Sequence, residues 1–213
     1  MKKIILKIKD FLNENEIYTF GKNHKTLIFM VIMIVGGMIF GAILAGCISF
    51  EVIDSLSGMF LNDFKERISQ NLGESFVSSI SVYFAFALLL ELSALAVWGA
   101  LSCPLILCFR GIGIGISGGY LYLIYGLKGI AFYVLILMPG IFVSSIAFAL
   151  FGSASFKMSL KIAKSALPKG QEINFWQDMK LNFKRFGRCF LILCFSAFLD
   201  MCFMAMFSGF FDF

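Results

Sequence analysis

Three ionisable residues lie inside apolar runs and are the first candidates for chemistry. Glu91, Arg110 and Asp200 each stand in a stretch that is otherwise almost wholly apolar. A charged side chain in hydrocarbon costs about 2.5–3.5 kcal/mol on insertion scales, so such residues pair with one another or line a path for ions or solutes. One base and two acids nearly neutralise one another, which favours an intramembrane polar cluster that fixes helix register. A proton or ion site is the alternative.

The sequence RGIGIGISGG at residues 110–119 matches two enzyme motifs by spelling alone. Residues 113–118 fit GxGxxG, but a dinucleotide site requires a preceding strand and a soluble βαβ unit. Residues 115–118 fit the GxSG of rhomboid proteases, whose serine needs a histidine base, and no histidine follows Ser117. His24, the single histidine, has no partners at metal-ligand spacing. We therefore expect no enzymatic activity, no catalytic residue, no metal site and no cofactor.

The same stretch has the spacing of a helix-packing face. Glycines four residues apart share one side of a helix, and two apolar runs of this chain carry glycines at that interval. Without side chains between them, two membrane helices can approach closely. The predicted helix-packing seam comprises Gly37, Gly41, Gly111, Gly115 and Gly119.

The composition requires a membrane around these helices. The chain has 213 residues, of which 60% are hydrophobic, and 27 of them are Phe. Charged residues make up 15%, against about 25% in an average soluble domain, so a polar surface cannot cover the apolar residues. Several runs reach the ~18 residues of a membrane span. We predict an all-α, polytopic membrane helix bundle with five transmembrane helices and additional amphipathic interfacial helices.

The predicted boundaries give a cytoplasmic basic N-terminus at residues 1–26 and a single membrane domain at residues 27–213. Uncharged or nearly uncharged runs place the spans at residues 27–48, 76–101, 104–125, 130–151 and 188–209.

Tight turns are predicted at Cys103-Pro104 and at residues 126–129. A turn at Pro104 places Arg110 about 9 Å and Glu91 about 15 Å from the inner ends of their helices, within reach of each other across the hairpin. In the fourth span, Pro139 removes a backbone hydrogen bond and predicts a kink.

Three segments outside the spans have amphipathic patterns. Residues 49–75 form an outer loop with a helical apolar stripe, which either lies on the membrane or docks a partner. The candidates for docking are Phe60, Phe64 and Ile68. Residues 152–187 are polar and basic, and they predict two helices separated near residues 168–170, the second at the interface. Residues 1–12 fit either a helix on an anionic leaflet or a solvated basic tail.

Charge placement predicts the orientation. Residues 1–26 and 152–188 hold 14 of the 18 Lys and Arg residues, and basic segments stay in the cytoplasm. The expected localisation is the cell membrane, multi-pass, with the N-terminus cytoplasmic and the C-terminus extracytoplasmic. The expected partners are membrane lipids, anionic on the cytoplasmic face, and proteins outside the membrane. No nucleic-acid partner is expected, and a homo-oligomer is left open.

Together these features resemble the stage II sporulation protein M family. The resemblance includes five spans with an outer amphipathic loop, Arg110-Gly111 through Gly115 in a glycine-rich third span, and Asp200 in the last span. Residues 137–140, Leu-Met-Pro-Gly, look like the family's Leu-Pro segment. The fourth span departs from the family where many relatives have polar residues after the proline.

The resemblance implies a non-enzymatic integral membrane scaffold. Such a protein would recruit or assemble extracytoplasmic partners, such as cell-wall remodelling hydrolases, during sporulation or related envelope processes. The alternative from the residues themselves is a transporter or permease subunit that uses the intramembrane Glu91, Arg110 and Asp200.

Overall fold

The computed structural model describes residues 24–47, 72–166 and 175–207, and every element in these ranges is helical. The long helices are α1 (His24–Cys47), α2 (Leu72–Leu95), α3 (Gly99–Tyr125), α5 (Met138–Ser165) and α6 (Phe175–Phe207); the short α4 (Leu127–Phe132) and a π-helical segment (Tyr133–Leu137) lie between α3 and α5. In this described part of the chain, five helical stretches are long and apolar enough to cross a membrane, the fourth combining α4, the π-helical segment and α5. The predicted all-α, multi-pass membrane bundle is therefore confirmed.

Several predictions fall on other parts of the chain. The basic segment at 1–12, the docking candidates Phe60, Phe64 and Ile68, and the break near 168–170 lie outside the described residues.

The turn between α2 and α3 lies earlier than predicted. It occupies Ala96 to Trp98, and Pro104 is inside α3. A Cβ on Gly99 would clash with the carbonyl oxygen of Ser93, so the missing side chain at Gly99 lets the chain turn back tightly. Proline is tolerated within membrane helices, and Pro104 was therefore a misleading sign of a turn.

The basic segment after the fourth span is also different from its prediction. The first predicted helix is a continuation of α5 as far as Ser165, and the second is the beginning of α6. The interfacial helix predicted in front of the fifth span is thus continuous with that span. Residues 152–165 contain no proline and only the single glycine Gly152. The hydrogen bonds of α5 therefore continue beyond the hydrocarbon.

The predicted glycine seam joins α1 to α3, and α1 packs mainly on α3. A Cβ on Gly37 would clash with the carbonyl oxygen of Cys108, and one on Gly41 with that of Ile112. From the other side, a Cβ on Gly115 would clash with the Met38 carbonyl oxygen. The two backbones touch directly, as small-residue faces permit.

The seam extends along both helices. A Cβ on Gly111 would clash with the carbonyl oxygen of Ile34, and one on Gly119 would lie 2.5 Å from the Cβ of Ala45. The opposite face of α1 remains exposed, with Ile32 and Ile39 among its outward residues. α1 is consequently a peripheral helix that packs mainly on α3.

One end of the bundle collects the basic residues, and we call it the basic end. Ser159 Oγ donates a hydrogen bond of 2.8 Å to the Ala96 carbonyl oxygen, so the end of α5 lies beside the α2–α3 turn. The rings of Phe29 and Phe156 lie 6.5 Å apart, which places the start of α1 there too. The described cations near this end are Lys25, Lys157, Lys161, Lys164, Lys180, Lys184, Arg185 and Arg188.

Candidate functional site

The Arg110 side chain lies near the middle of α3, enclosed by the other helices. It is 11 residues from Gly99, about 16 Å along the axis at 1.5 Å per residue. Its Nη2 donates a hydrogen bond of 2.8 Å to Ser144 Oγ on α5. Its guanidinium carbon lies 4.1 Å from the centre of the Phe148 ring and 5.0 Å from that of Tyr83. Cation–π attraction of this kind strengthens when water is excluded, so aromatic rings replace much of the lost hydration.

The Asp200 side chain is the anionic counterpart, buried on α6. The Tyr83 hydroxyl on α2 donates a hydrogen bond of 3.0 Å to Asp200 Oδ2. Arg110 and Asp200 are close enough to attract each other electrostatically. Because Tyr83 contacts both, the cation and the anion belong to one site that joins α2, α3, α5 and α6.

Close backbone contact between α5 and α6 completes this site. Ser196 Oγ donates a hydrogen bond of 2.7 Å to the Gly140 carbonyl oxygen. A Cβ on Gly140 would occupy the position of the Asp200 carboxylate. The glycine therefore gives Asp200 its space. We call this set the polar core: Tyr83, Arg110, Gly140, Ser144, Ser196 and Asp200.

Ser144 and a small cavity complete the surroundings of Arg110 and Asp200. Ser144 Oγ accepts from Arg110 and donates to the Ile141 carbonyl oxygen in its own helix. Within the described residues, Arg110 Nε has no hydrogen-bond acceptor. A small cavity of about 10 Å³ adjoins Asp200. A single water molecule needs ~10–15 Å³. The space beside Asp200 is therefore about that of one water.

The π-helical segment, Tyr133–Leu137, forms one wall of this cavity through Ile136 and Leu137. Pro139 follows it in the first turn of α5. Proline lacks an N–H and clashes with the carbonyl four residues earlier, and a π turn accommodates that change of hydrogen-bond pattern. The proline predicted to kink the span thus lies where α-helical geometry is interrupted.

Glu91 is not part of the polar core, so the predicted contact with Arg110 is wrong. Its Oε2 instead accepts a hydrogen bond of 2.7 Å from Asn182 Nδ2 on α6. The misplaced turn explains the error. Glu91 is four residues from Leu95, about 6 Å from the end of α2, and is therefore near the basic end, while Arg110 is deeper than predicted. The predicted cluster separates into Arg110 with Asp200 and Glu91 with Asn182.

The residues of the rejected enzyme motifs have structural contacts. Ser117 Oγ donates a hydrogen bond of 2.9 Å to the Gly113 carbonyl oxygen in its own helix. Gly111 and Gly115 of the same stretch face α1. In the described residues, no group of three or more His, Cys, Asp or Glu side chains is placed to hold a metal ion.

Sequence reasoning missed Tyr83, Gly140, Ser144, Ser196 and Asn182 as polar-core or pairing residues. Serine and tyrosine are common in apolar helices, so their types give no signal. One signal was available: Ser196 and Asp200 are four residues apart, which places a polar face in the last span.

Comparison with known proteins adds no relative. No protein-family model matches the chain, and neither a curated protein nor a solved structure matches it.

Proposed function

We propose that this multi-pass membrane protein is a non-enzymatic scaffold similar to the stage II sporulation protein M family. It would assemble extracytoplasmic partners, such as cell-wall remodelling hydrolases, in sporulation or a related envelope process. The observation that carries this proposal is the polar core, in which Arg110 and Asp200 contact protein groups from four helices.

The contacts of Arg110 and Asp200 favour a structural role over movement of solutes. Each side chain meets a partner on another helix, and the cavity at Asp200 has the volume of about one water. A transport path would need a wider polar space or a second arrangement of the helices. Charges held in this way fix the relative positions of α2, α3, α5 and α6.

The glycine seam supplies the second half of the proposal. α1 and α2 flank residues 48–71 in the chain, and α1 is fixed on α3 by backbone contact at Gly37 and Gly41. Two anchored helices would present the segment between them from a rigid base. The basic end, which collects most described cations, would face the cytoplasm, so this segment would lie outside.

Site-specific photocrosslinking tests the scaffold directly. A photoreactive amino acid replaces Phe60 or Phe64 in intact cells, and a matched control replaces Ile39 on the exposed face of α1. We expect adducts from the loop positions to contain a secreted wall hydrolase or its complex, identified by mass spectrometry, and the Ile39 adducts to contain lipid. Lipid adducts from all three positions would contradict the proposal.

A transporter or permease subunit is the second candidate, and one observation favours it. Asp200 adjoins a cavity whose wall includes the π-helical segment, and π turns often occur at functional sites. A change between π and α geometry would alter that wall.

Flux through liposomes distinguishes this candidate. A transporter would carry protons or a solute, and Glu91→Gln or Asp200→Asn would stop the flux while the protein still folds. The scaffold predicts no flux above that of empty liposomes, and lower thermal stability of Asp200→Asn.

A further inference from the structure

A groove between α5 and α6 begins near the basic end and has two arginines in its lining. Its volume is about 160 Å³, and its apolar lining includes Leu150, Phe151 and Ala154 on α5 and Ile192 on α6. Arg185 and Arg188 line the same groove. Apolar cavities of about 150 Å³ stay dry and take up apolar molecules, so an apolar chain suits this volume better than water.

The groove reaches about as deep as one leaflet of the hydrocarbon, roughly 15 Å. Ser159 is level with the α2–α3 turn at the basic end. Ala154 is five residues further in, about 8 Å, and Ala147, another lining residue, is twelve residues in, about 18 Å. The groove therefore runs from the charged surface into the hydrocarbon.

The charges in and beside the groove select the occupant. Lys157 lies close enough to Arg185 for their like charges to repel each other, and Arg185 and Arg188 both line the groove. An anion near Lys157 and Arg185 would reduce the repulsion between these cations.

We propose that this groove is a binding site for an anionic phospholipid, with the phosphate at Lys157, Arg185 and Arg188 and one acyl chain against Leu150, Phe151 and Ile192. Basic pockets between membrane helices recognise anionic head groups in this manner. The exposed side chain of Ile192 lies at the edge through which a chain would enter from the bilayer. This site is independent of the proposed scaffold function.

Native mass spectrometry tests the site. The purified protein is equilibrated with equal amounts of phosphatidylglycerol and phosphatidylcholine carrying the same acyl chains, and the retained lipid is counted. We expect one phosphatidylglycerol retained in preference, and a loss of affinity of about fivefold for each arginine removed in Arg185→Gln/Arg188→Gln.

The matched control is Lys180→Gln/Lys184→Gln, which removes the same charge from exposed positions of α6. We expect less than a twofold change in this control. Equal losses in the two double variants, or equal retention of the two lipids by the unaltered protein, would overturn the site.

A measurement on the unaltered chain removes any dependence on how the variants fold. Phosphatidylglycerol with a photoreactive group in its acyl chain is crosslinked in vesicles, with a phosphatidylcholine analogue as the control. We expect enriched adducts on Leu150 or Ile192 with the anionic lipid. Adducts spread evenly over outward residues such as Ile32 would contradict the proposal.

Discussion

The two faces of α3 hold the bundle together in opposite ways. Toward α1, Gly111 and Gly115 remove side chains so that backbones touch. Toward α2, α5 and α6, Arg110 extends a long charged side chain to Ser144 and to aromatic rings. The face toward α1 depends on the absence of side chains, and the face toward the polar core depends on the polar and aromatic partners of Arg110.

This difference determines how each face fails. At Gly37, Gly41, Gly111 and Gly115 an added carbon meets backbone, which cannot rotate away, so even a small substitution there is damaging. In the polar core, removal of one partner leaves another polar group buried without compensation, which costs more than the lost contact itself. The glycine seam is thus sensitive to the size of a substituted side chain, and the polar core is sensitive to the loss of a polar or charged partner.

The largest effect is expected from Gly115→Leu. Even a Cβ at this position clashes with the Met38 carbonyl oxygen, and a whole side chain would force α1 away from α3. We expect no folded protein in detergent, measured by size-exclusion chromatography and thermal unfolding. The control Ile114→Leu, at the neighbouring position on another face, keeps the fold. Equal tolerance of the two changes would refute the seam.

Arg110→Met breaks the core by removing its cation. Asp200 would lose its attracting charge and Ser144 its charged donor; a hydrogen bond to a charged group contributes about 1.5–3 kcal/mol, and we expect a loss of at least that size. Unfolding by denaturing detergent measures the loss, with Lys164→Met, an exposed position on α5, as the matched charge control. If both variants unfold at the same detergent concentration, Arg110 contributes nothing to stability.

Gly140→Ala tests sensitivity to size within the core. The added methyl group would take the place of the Asp200 carboxylate, so α5 and α6 must separate or Asp200 must turn. We expect destabilisation of about 1–3 kcal/mol, as for other overpacked sites. Gly36→Ala is the control, because a Cβ there meets nothing within 4 Å. A loss no larger than that of the control would show that the α5–α6 contact is loose.

The smallest effect is expected from Tyr83→Phe. This change keeps the ring over Arg110 and removes the hydroxyl that donates to Asp200. Hydrogen bonds between membrane helices contribute about 0.6 kcal/mol on average and up to about 1.7 kcal/mol, and we expect a loss in that range. A larger loss, beyond about 2 kcal/mol, would mean that Tyr83 orders more of the core than one bond.

The sequence predicted the elements whose signal is local. Apolar length identified the five spans, and glycine spacing identified the face of α3 that meets α1. Both signals arise within one helix, so no knowledge of the other helices was needed.

Side-chain contacts between helices could not be predicted, because they depend on how the helices pack and no single segment of sequence determines that. The α2–α3 turn depends on Gly99 and was assigned to Pro104 because proline ends helices in water more readily than in membranes. The prediction ended α2 six residues late and began α3 five residues late, which put Arg110 too near the surface and Glu91 too deep. Tyr83, Ser144 and Asn182 could not be selected, since many polar residues in the spans look alike until the helices are packed.

The coupling between Arg110 and Asp200 tests most directly whether the charges of the membrane core hold this structure together. The free energy of unfolding is measured for Arg110→Met, for Asp200→Leu and for the double variant. We predict that the double variant is more stable than the sum of the two losses implies, by at least about 1.5 kcal/mol, because neither charge is left unpaired. Losses that add to within about 0.5 kcal/mol would contradict this account, since the two side chains would then stabilise the bundle independently.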